Sequence, residues 1–400
     1  MTEAMAGSAR MQAVQAPVIP DVAALLRECP EAISLGQGVV HYPPPPQVFD
    51  AVRQFGGQAD DHHYREAAGI APLCDGLRQK LSADNGIVLD EATQDVFVTA
   101  GSNMAFYHIV LCLCDPGDEV VVMSPFYFNH EMAIAMANAK AVVAETDARY
   151  GLQPDAVRDV ITPRTRAVVT ISPNNPSGAV YDEDALRQVN ELCCEKGIVH
   201  ISDEAYEYFT YDGVRHHSPA TFSDSADHTV SLFSFSKSYA LANWRVGYMV
   251  APRWLLRGLQ KSQDTILICP PVVSQHAALG ALQAGRSYCD AYIEGLERVR
   301  SMALDHLSVL GDRCTVPTSD GAFYLLARLS SQLEPMQVVE RLVREHGVAA
   351  IPGSGFGLQD CYIRLNHIRY MYVGSQLLTP INRDYSLMVR QICQYIDDNI

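Results

Sequence analysis

The chain has 400 residues, enough for two ordinary domains with a core each, and 48% of them are hydrophobic. A formal net charge of −16 argues against a phosphate-backbone partner, which needs a basic face. The longest apolar stretch, "MAIAMANAKAVVA", is broken by Asn138 and Lys140 and is too short to cross a bilayer, and "MTEAMAGSARMQAVQAPVIP" lacks the charged start and apolar core of a secretory signal. Neither nucleic acid nor a membrane is expected as a partner.

Up to about residue 50 the chain, with its stiff "HYPPPPQ" run, reads as an arm and connector rather than an independent domain. Strands are then predicted at "QDVFVTA", "DEVVVMS", "AKAVVAE", "TRAVVTIS", "GIVHISDE", "TVSLFSFS" and "RVGYMVA". Several are continuous Val/Ile runs, the pattern of strands covered on both faces. Helical patterns alternate with them. "YDEDALRQVNELCCEKG" has acids in its first turn, a stripe of Leu186, Val189, Leu192 and Cys193, and Gly197 as a stop. Such alternation predicts an α/β domain with a largely parallel sheet. Beyond about residue 275 come a long helix, "SYCDAYIEGLERVRSMALDHLSVLG", and short strands at "GAFYLLARL", "VAAIPG" and "CYIRLN", which suggest a smaller α+β domain. A last helix is predicted from about Pro380, with Ile381, Tyr385, Met388, Ile392 and Tyr395 or Ile396 on one stripe. The eleven cysteines are odd in number, include the adjacent Cys193 and Cys194, and show no zinc-type spacing. They read as free thiols in a reducing cytoplasm, and no metal site is expected.

Four segments at strand ends carry candidate chemistry, and ligands of open α/β sheets gather at such ends. "TAGSNMAF" is either an ordinary strand-to-helix turn or a cradle whose free amides hold an anion. In "ISPNNPSGAVY" the Asn-Pro and Ser-Gly pairs are turn dipeptides, yet an asparagine there can also donate to a ligand oxygen. "HISDEAYEYF" offers Asp203 as a helix cap or as partner to a ring nitrogen, with Tyr206 as a phenol donor. In "SFSKSYALANWRVGY", Ser234 and Ser236 would share one face of a strand, with Lys237 opening the turn beyond. A lysine near an arginine and drawn out of water disfavours its ammonium form, which makes a nucleophilic amine able to form a Schiff base. An anion cradle, a ring-oxygen donor, an acid for a ring nitrogen and such a lysine are together what pyridoxal 5'-phosphate requires.

These segments resemble those of the fold-type I, class I/II aminotransferases over about residues 30–366. The resemblance implies a large pyridoxal phosphate-binding domain (51–275) with a mostly parallel seven-stranded sheet flanked by helices. A small α+β domain (276–400) would accompany it, with residues 1–50 an arm and part of that domain. "SFSKSYALANWRVGY" is similar to the family's serine-x-x-lysine and R-x-G segment, so Lys237 would be the Schiff-base lysine and Ser234 and Arg245 phosphate ligands, with Ser236 a weaker candidate. "SDEAY" and "NNPSG" imply Asp203 as pyridinium partner, and Tyr206 and Asn175 as donors to the phenolic oxygen. "AGSNMA" implicates Ser102 and Asn103 at the phosphate, and "SPFYFNH" places Tyr127 on the cofactor ring. "HHYREAAGIAPL" makes Tyr64 a phosphate ligand reaching across a homodimer interface. "ISLGQGVVHYPPP" puts Gly38 near the substrate carboxylate, and "CYIRLN" makes Arg364 its clamp, since a planar guanidinium holds a carboxylate bidentately.

The implied activity is transfer of an amino group between an L-amino acid and a 2-oxo acid in a ping-pong cycle. His41, Tyr42 and the prolines beside them favour a large neutral or aromatic donor. Other reactions on the same site, β-elimination or a synthase step, stay open because pocket shape decides between them. A non-catalytic protein of the same fold is a further alternative. The bulky "LNHIRYMYVGSQLLTPINRD" after Arg364 departs from the family pattern, and Asn366 and His367 there are candidates for altering substrate choice or lowering activity.

Overall fold

The predicted apolar runs become one seven-stranded sheet in the computed structural model, which describes residues 7–367 and 382–399. Its strands are β1 (Gln94–Thr99), β2 (Glu119–Ser124), β3 (Lys140–Glu145), β4 (Thr165–Ile171), β5 (Val199–Asp203), β6 (Thr229–Ser234) and β7 (Gly247–Pro252), in the spatial order β1-β7-β6-β5-β4-β2-β3. β7 runs antiparallel to both neighbours, and every other neighbouring pair is parallel. β5 and β6 are buried from end to end, whereas the edge strand β3 is partly exposed, as expected when helices cover both faces of a sheet.

Strand direction decides where chemistry can gather. The carboxyl ends of β1, β2, β4, β5 and β6 all point to one edge. β7, being antiparallel, brings its amino end, just after Arg245, to the same edge. Helices α1 (Ser102–Leu113) and α2 (Phe128–Met136) leave from this edge after β1 and β2. Helix α3 (Glu183–Lys196) starts on Asp182, whose carboxylate accepts from the Asp184 amide at 2.9 Å, and stops at Gly197 with φ 64°. Its predicted stripe is buried together with Asn190, whose amide donates to Thr229 Oγ1 at 2.7 Å and ties the helix to β6.

A second, antiparallel sheet has the order β10-β11-β9-β8 and consists of β8 (Cys314–Thr315), β9 (Tyr324–Leu329), β10 (Ile351–Pro352) and β11 (Tyr362–Asn366). Ile33–Ser34 pairs in parallel with Val348–Ala349, and Val22 and Leu25 join the core of this sheet, so the amino-terminal segment packs there. A long helix, α4 (Ser287–Ser308), and the last helix, α5 (Asn382–Asn399), pack against each other beside it. Met388, Ile392, Tyr395 and Ile396 of α5 are buried, each worth about 1.5–3 kcal/mol for a side chain of this size. Pro380, Ile381 and the Tyr385 side chain lie outside the described residues, as does the segment after Arg364 from residue 368 to 381. Among the described residues no helix is long and apolar enough to cross a membrane. All eleven cysteines are free, and burial pushes the thiols of Cys74, Cys112 and Cys361 up to about 11.

Candidate active site

The turns at the sheet edge enclose a cavity of about 130 Å³. Ser102, Asn103, Tyr127, Asn175, Asp203, Tyr206, Ser234, Ser236, Lys237 and Arg245 line it, so ten of the residues singled out in the sequence meet there. Gly38 and Arg364 adjoin it through hydrogen bonds to Lys237 and Asn175. Tyr64 does not reach the cavity within this chain; it is 78% exposed on the loop before the helix that starts at Ala71.

One end of the cavity is built for an anion. β1 gives way to Gly101, at φ 84°, and α1 begins with the next residue. A Cβ on Gly101 would lie 2.5 Å from Arg245 Nη2, and one on Gly247 would lie 2.8 Å from the Ser102 amide nitrogen. Glycine at both positions lets β1, β7 and the start of α1 close around the Arg245 guanidinium. Arg245 itself has φ 51° and donates through Nη1 to the Ala242 carbonyl at 2.9 Å. Ser234 Oγ accepts from the Ser236 amide at 3.1 Å, which leaves its hydroxyl proton to give. The shared strand face expected of the two serines is not how they meet. β6 ends at Ser234, and Ser236 lies in the single helical turn Phe235–Ser238, yet both line the cavity because the chain turns there. Helix-start amides, hydroxyls and a guanidinium together suit a phosphate.

The other end suits a flat, polar ring. Asp203 closes β5 with one carboxylate oxygen 3.1 Å from His130 Nε2 and the other accepting from the Ala205 amide at 3.1 Å. His130 is buried and stacked on Phe106 with ring centroids 4.0 Å apart, which fixes the imidazole beside the carboxylate. Tyr206 accepts from Asn175 Nδ2 at 3.4 Å, and burial holds its phenol well above the ordinary tyrosine range, so it stays a proton donor. Tyr127 is fixed by the Asn129 amide, which donates to its hydroxyl at 2.7 Å.

Between the two ends stands Lys237. Burial, with Arg364 and Arg245 nearby, brings its amine down to about 8 from an ordinary 10.5. Nζ donates to the Gly38 carbonyl at 2.6 Å. Arg364 donates to Asn175 Oδ1 at 2.8 Å and to the Gly36 carbonyl at 2.6 Å. Tyr42, read from the sequence as a hint of donor choice, instead supports the lysine turn: its hydroxyl donates to the Lys237 carbonyl at 3.0 Å. Asn366 likewise serves the amino-terminal segment, donating to the Gln37 carbonyl at 2.5 Å.

Two residues of the site escaped sequence reasoning. His130 follows Tyr127 by one helical turn, a spacing that could have flagged it. Tyr324, whose hydroxyl is 2.8 Å from that of Tyr206, sits in an apolar strand with no local signal.

The family model for aminotransferase class I and II matches residues 30–368. The chain belongs to the class I and II aminotransferases. It is 33% identical to the aromatic aminotransferase ISS1 of Arabidopsis thaliana over 368 residues, covering 90% of this chain and 91% of that protein. It is also 33% identical to the aspartate/prephenate aminotransferase of Thermus thermophilus, covering 88% and 89%. A solved structure of Thermus thermophilus aspartate aminotransferase, a single mutant, superposes with a TM-score of 0.87 at 29% identity, covering 98% of this chain and 100% of that one. The aromatic aminotransferase of Pyrococcus horikoshii superposes with a TM-score of 0.82 at 27% identity, covering 94% and 99%.

This aminotransferase therefore uses pyridoxal phosphate and acts on amino acids and 2-oxo acids. The cavity fits that group. The glycine-lined cradle at Arg245 matches a phosphate, the buried carboxylate of Asp203 matches a protonated ring nitrogen, and the lowered amine of Lys237 matches an aldehyde. When bound, the cofactor supplies an electron sink for the bond broken at the substrate α-carbon.

Proposed function

We propose that the aminotransferase takes large neutral or aromatic L-amino acids as donors, with a 2-oxo acid such as 2-oxoglutarate as acceptor. The observation that carries this reading is the aromatic wall around the carboxylate clamp. The Arg364 guanidinium lies 4.4 Å from the Tyr324 ring centre and 5.2 Å from that of Phe356, with Tyr127 and Tyr206 lining the cavity beside it. Among the described residues lining the cavity, the charged ones are Asp203, Lys237 and Arg245, all occupied with the cofactor on this reading. The names of two relatives, one an aromatic and one an aspartate/prephenate aminotransferase, support an aromatic or acidic donor.

Ser102, Asn103, Ser234 and Arg245 hold the phosphate; Ser236 assists. Asp203 keeps the ring nitrogen protonated, and Asn175 and Tyr206 donate to the phenolic oxygen. Tyr127 covers the ring face. Gly38, Asn175 and Arg364 seat the substrate carboxylate. Lys237 would hold the cofactor through its aldehyde, and its freed amine would take up and return the proton lost from the substrate α-carbon. Tyr64 completes the phosphate site of a partner subunit in a cytoplasmic homodimer.

Single-turnover mixing of the enzyme with individual amino acids, followed by the cofactor spectrum, tests the reading. Phenylalanine or tyrosine is expected to convert the bound cofactor stoichiometrically to its amine form, faster than aspartate does. Release of ammonia with a 2-oxo acid instead would mark an elimination, and preference for aspartate would remove the aromatic assignment. Lys237→Ala is expected to abolish turnover.

A further inference from the structure

Nothing in "GAFYLLARL" sets Tyr324 apart from a core residue, but its surroundings in β9 do. Its hydroxyl lies 2.8 Å from that of Tyr206, and both side chains are buried. Its ring carries the Arg364 guanidinium on one face. Gly38 passes so close that a Cβ there would lie 2.2 Å from the Tyr324 hydroxyl, and the Gly38 carbonyl accepts from Lys237. Tyr324 thus touches the phenol donor, the carboxylate clamp and the segment that meets the lysine.

A phenol has one proton to give. Tyr206 already accepts from Asn175 Nδ2. For Tyr206 to spend its proton on a ligand oxygen, the short contact with Tyr324 must have Tyr324 as donor. We propose that Tyr324 is a positioning residue for the cofactor: its hydroxyl donates to Tyr206, which aims and strengthens the donation of Tyr206 to the phenolic oxygen of pyridoxal phosphate. The inference rests on the assignment of the cavity to that cofactor. A hydroxyl that accepts one hydrogen bond donates the next more strongly. The phenolic oxygen is then less basic, and the proton on the Lys237 nitrogen facing it is released at lower pH. Burial keeps both phenols protonated over the working range, with Tyr324 raised to about 12. The other charged or titratable groups facing this set are Asp203, Arg245 and Arg364 around Lys237, and Tyr127 beside the two phenols. A Tyr324→Phe change leaves all of them in place.

The test is a pH titration of the visible absorbance of the bound cofactor in holoenzyme, comparing wild type, Tyr324→Phe, Tyr206→Phe and the double variant. Tyr324→Phe is expected to raise the midpoint by about 0.1–0.7 pH unit, since it weakens the Tyr206 bond to the charged oxygen by about 10–30% and does not remove it. In the Tyr206→Phe background the same change is expected to add nothing, because its route runs through Tyr206. An unmoved midpoint in Tyr324→Phe, or a shift that persists without the Tyr206 hydroxyl, overturns the proposal. Tyr324→Leu guards against a folding defect peculiar to one substitution: it is expected to show the same midpoint shift and also a higher KM, since the ring under Arg364 is gone. Cofactor absorbance that does not depend on Lys237, seen as an unchanged band in Lys237→Ala, would instead remove the assignment of this cavity and its lysine to the cofactor.

Discussion

At the scale of single residues, Lys237 shows how burial sets chemistry. Its amine titrates near 8 in the fold, against 10.5 for an unfolded lysine. Between those values the unfolded chain binds the additional proton, so the cofactor-free protein gains stability as the pH climbs from about 8 to 10.5. Below that window the cost of the buried ammonium is fully present. Cofactor-free Lys237→Met is therefore expected to be more stable than wild type at pH 7 by about 2 kcal/mol, after discounting for water that reaches the cavity. Urea unfolding at pH 7 and pH 10.5 checks this, because the gap should close at the higher pH; an equal gap at both would rule out the lowered amine. The identity of Lys237 was legible because serines, a nearby arginine and two strand-like runs surround it in sequence. Tyr324 was not, because its importance comes from the opposite sheet laying it against Tyr206 and Gly38.

At the scale of elements, the strands of the large sheet were readable because Val/Ile runs have little alternative to a strand buried on both faces. Boundaries were less readable. The run "TVSLFSFS" continues its alternation past Ser234, but the chain turns helical at Phe235, where the Ser236 amide donates to Ser234 Oγ. A similar local switch, from β1 to α1 through Gly101, builds the anion end. Gly101→Ala meets both a positive φ and the Arg245 guanidinium. It is expected to weaken cofactor retention about tenfold or more with little loss of helix content, measured by equilibrium dialysis alongside circular dichroism. Unchanged retention would show that the cradle does not hold the phosphate.

At the scale of the whole molecule, the exposed Tyr64 poses the remaining question, since this chain alone leaves it away from the cavity. If Tyr64 serves a partner's site, a mixture of Tyr64→Ala and Lys237→Ala subunits, each poorly active alone, should regain about a quarter of wild-type activity after subunit exchange, because one site in each hybrid dimer is intact. No recovery in verified hybrids would place Tyr64 outside the partner's site. The sequence by itself determined the fold class, the cofactor and most of the side chains that reach the cavity. It could do so because each of those side chains sits in a short turn at the end of a recognisable strand. Only the tertiary structure decided how those turns meet. The antiparallel β7 brings Arg245 to the same edge as five parallel strand ends, His130 reaches Asp203 from α2, and Tyr42 and Asn366 pin the amino-terminal segment beside Lys237. Those contacts join residues far apart in the chain, and their geometry depends on strand order and packing that no local pattern encodes.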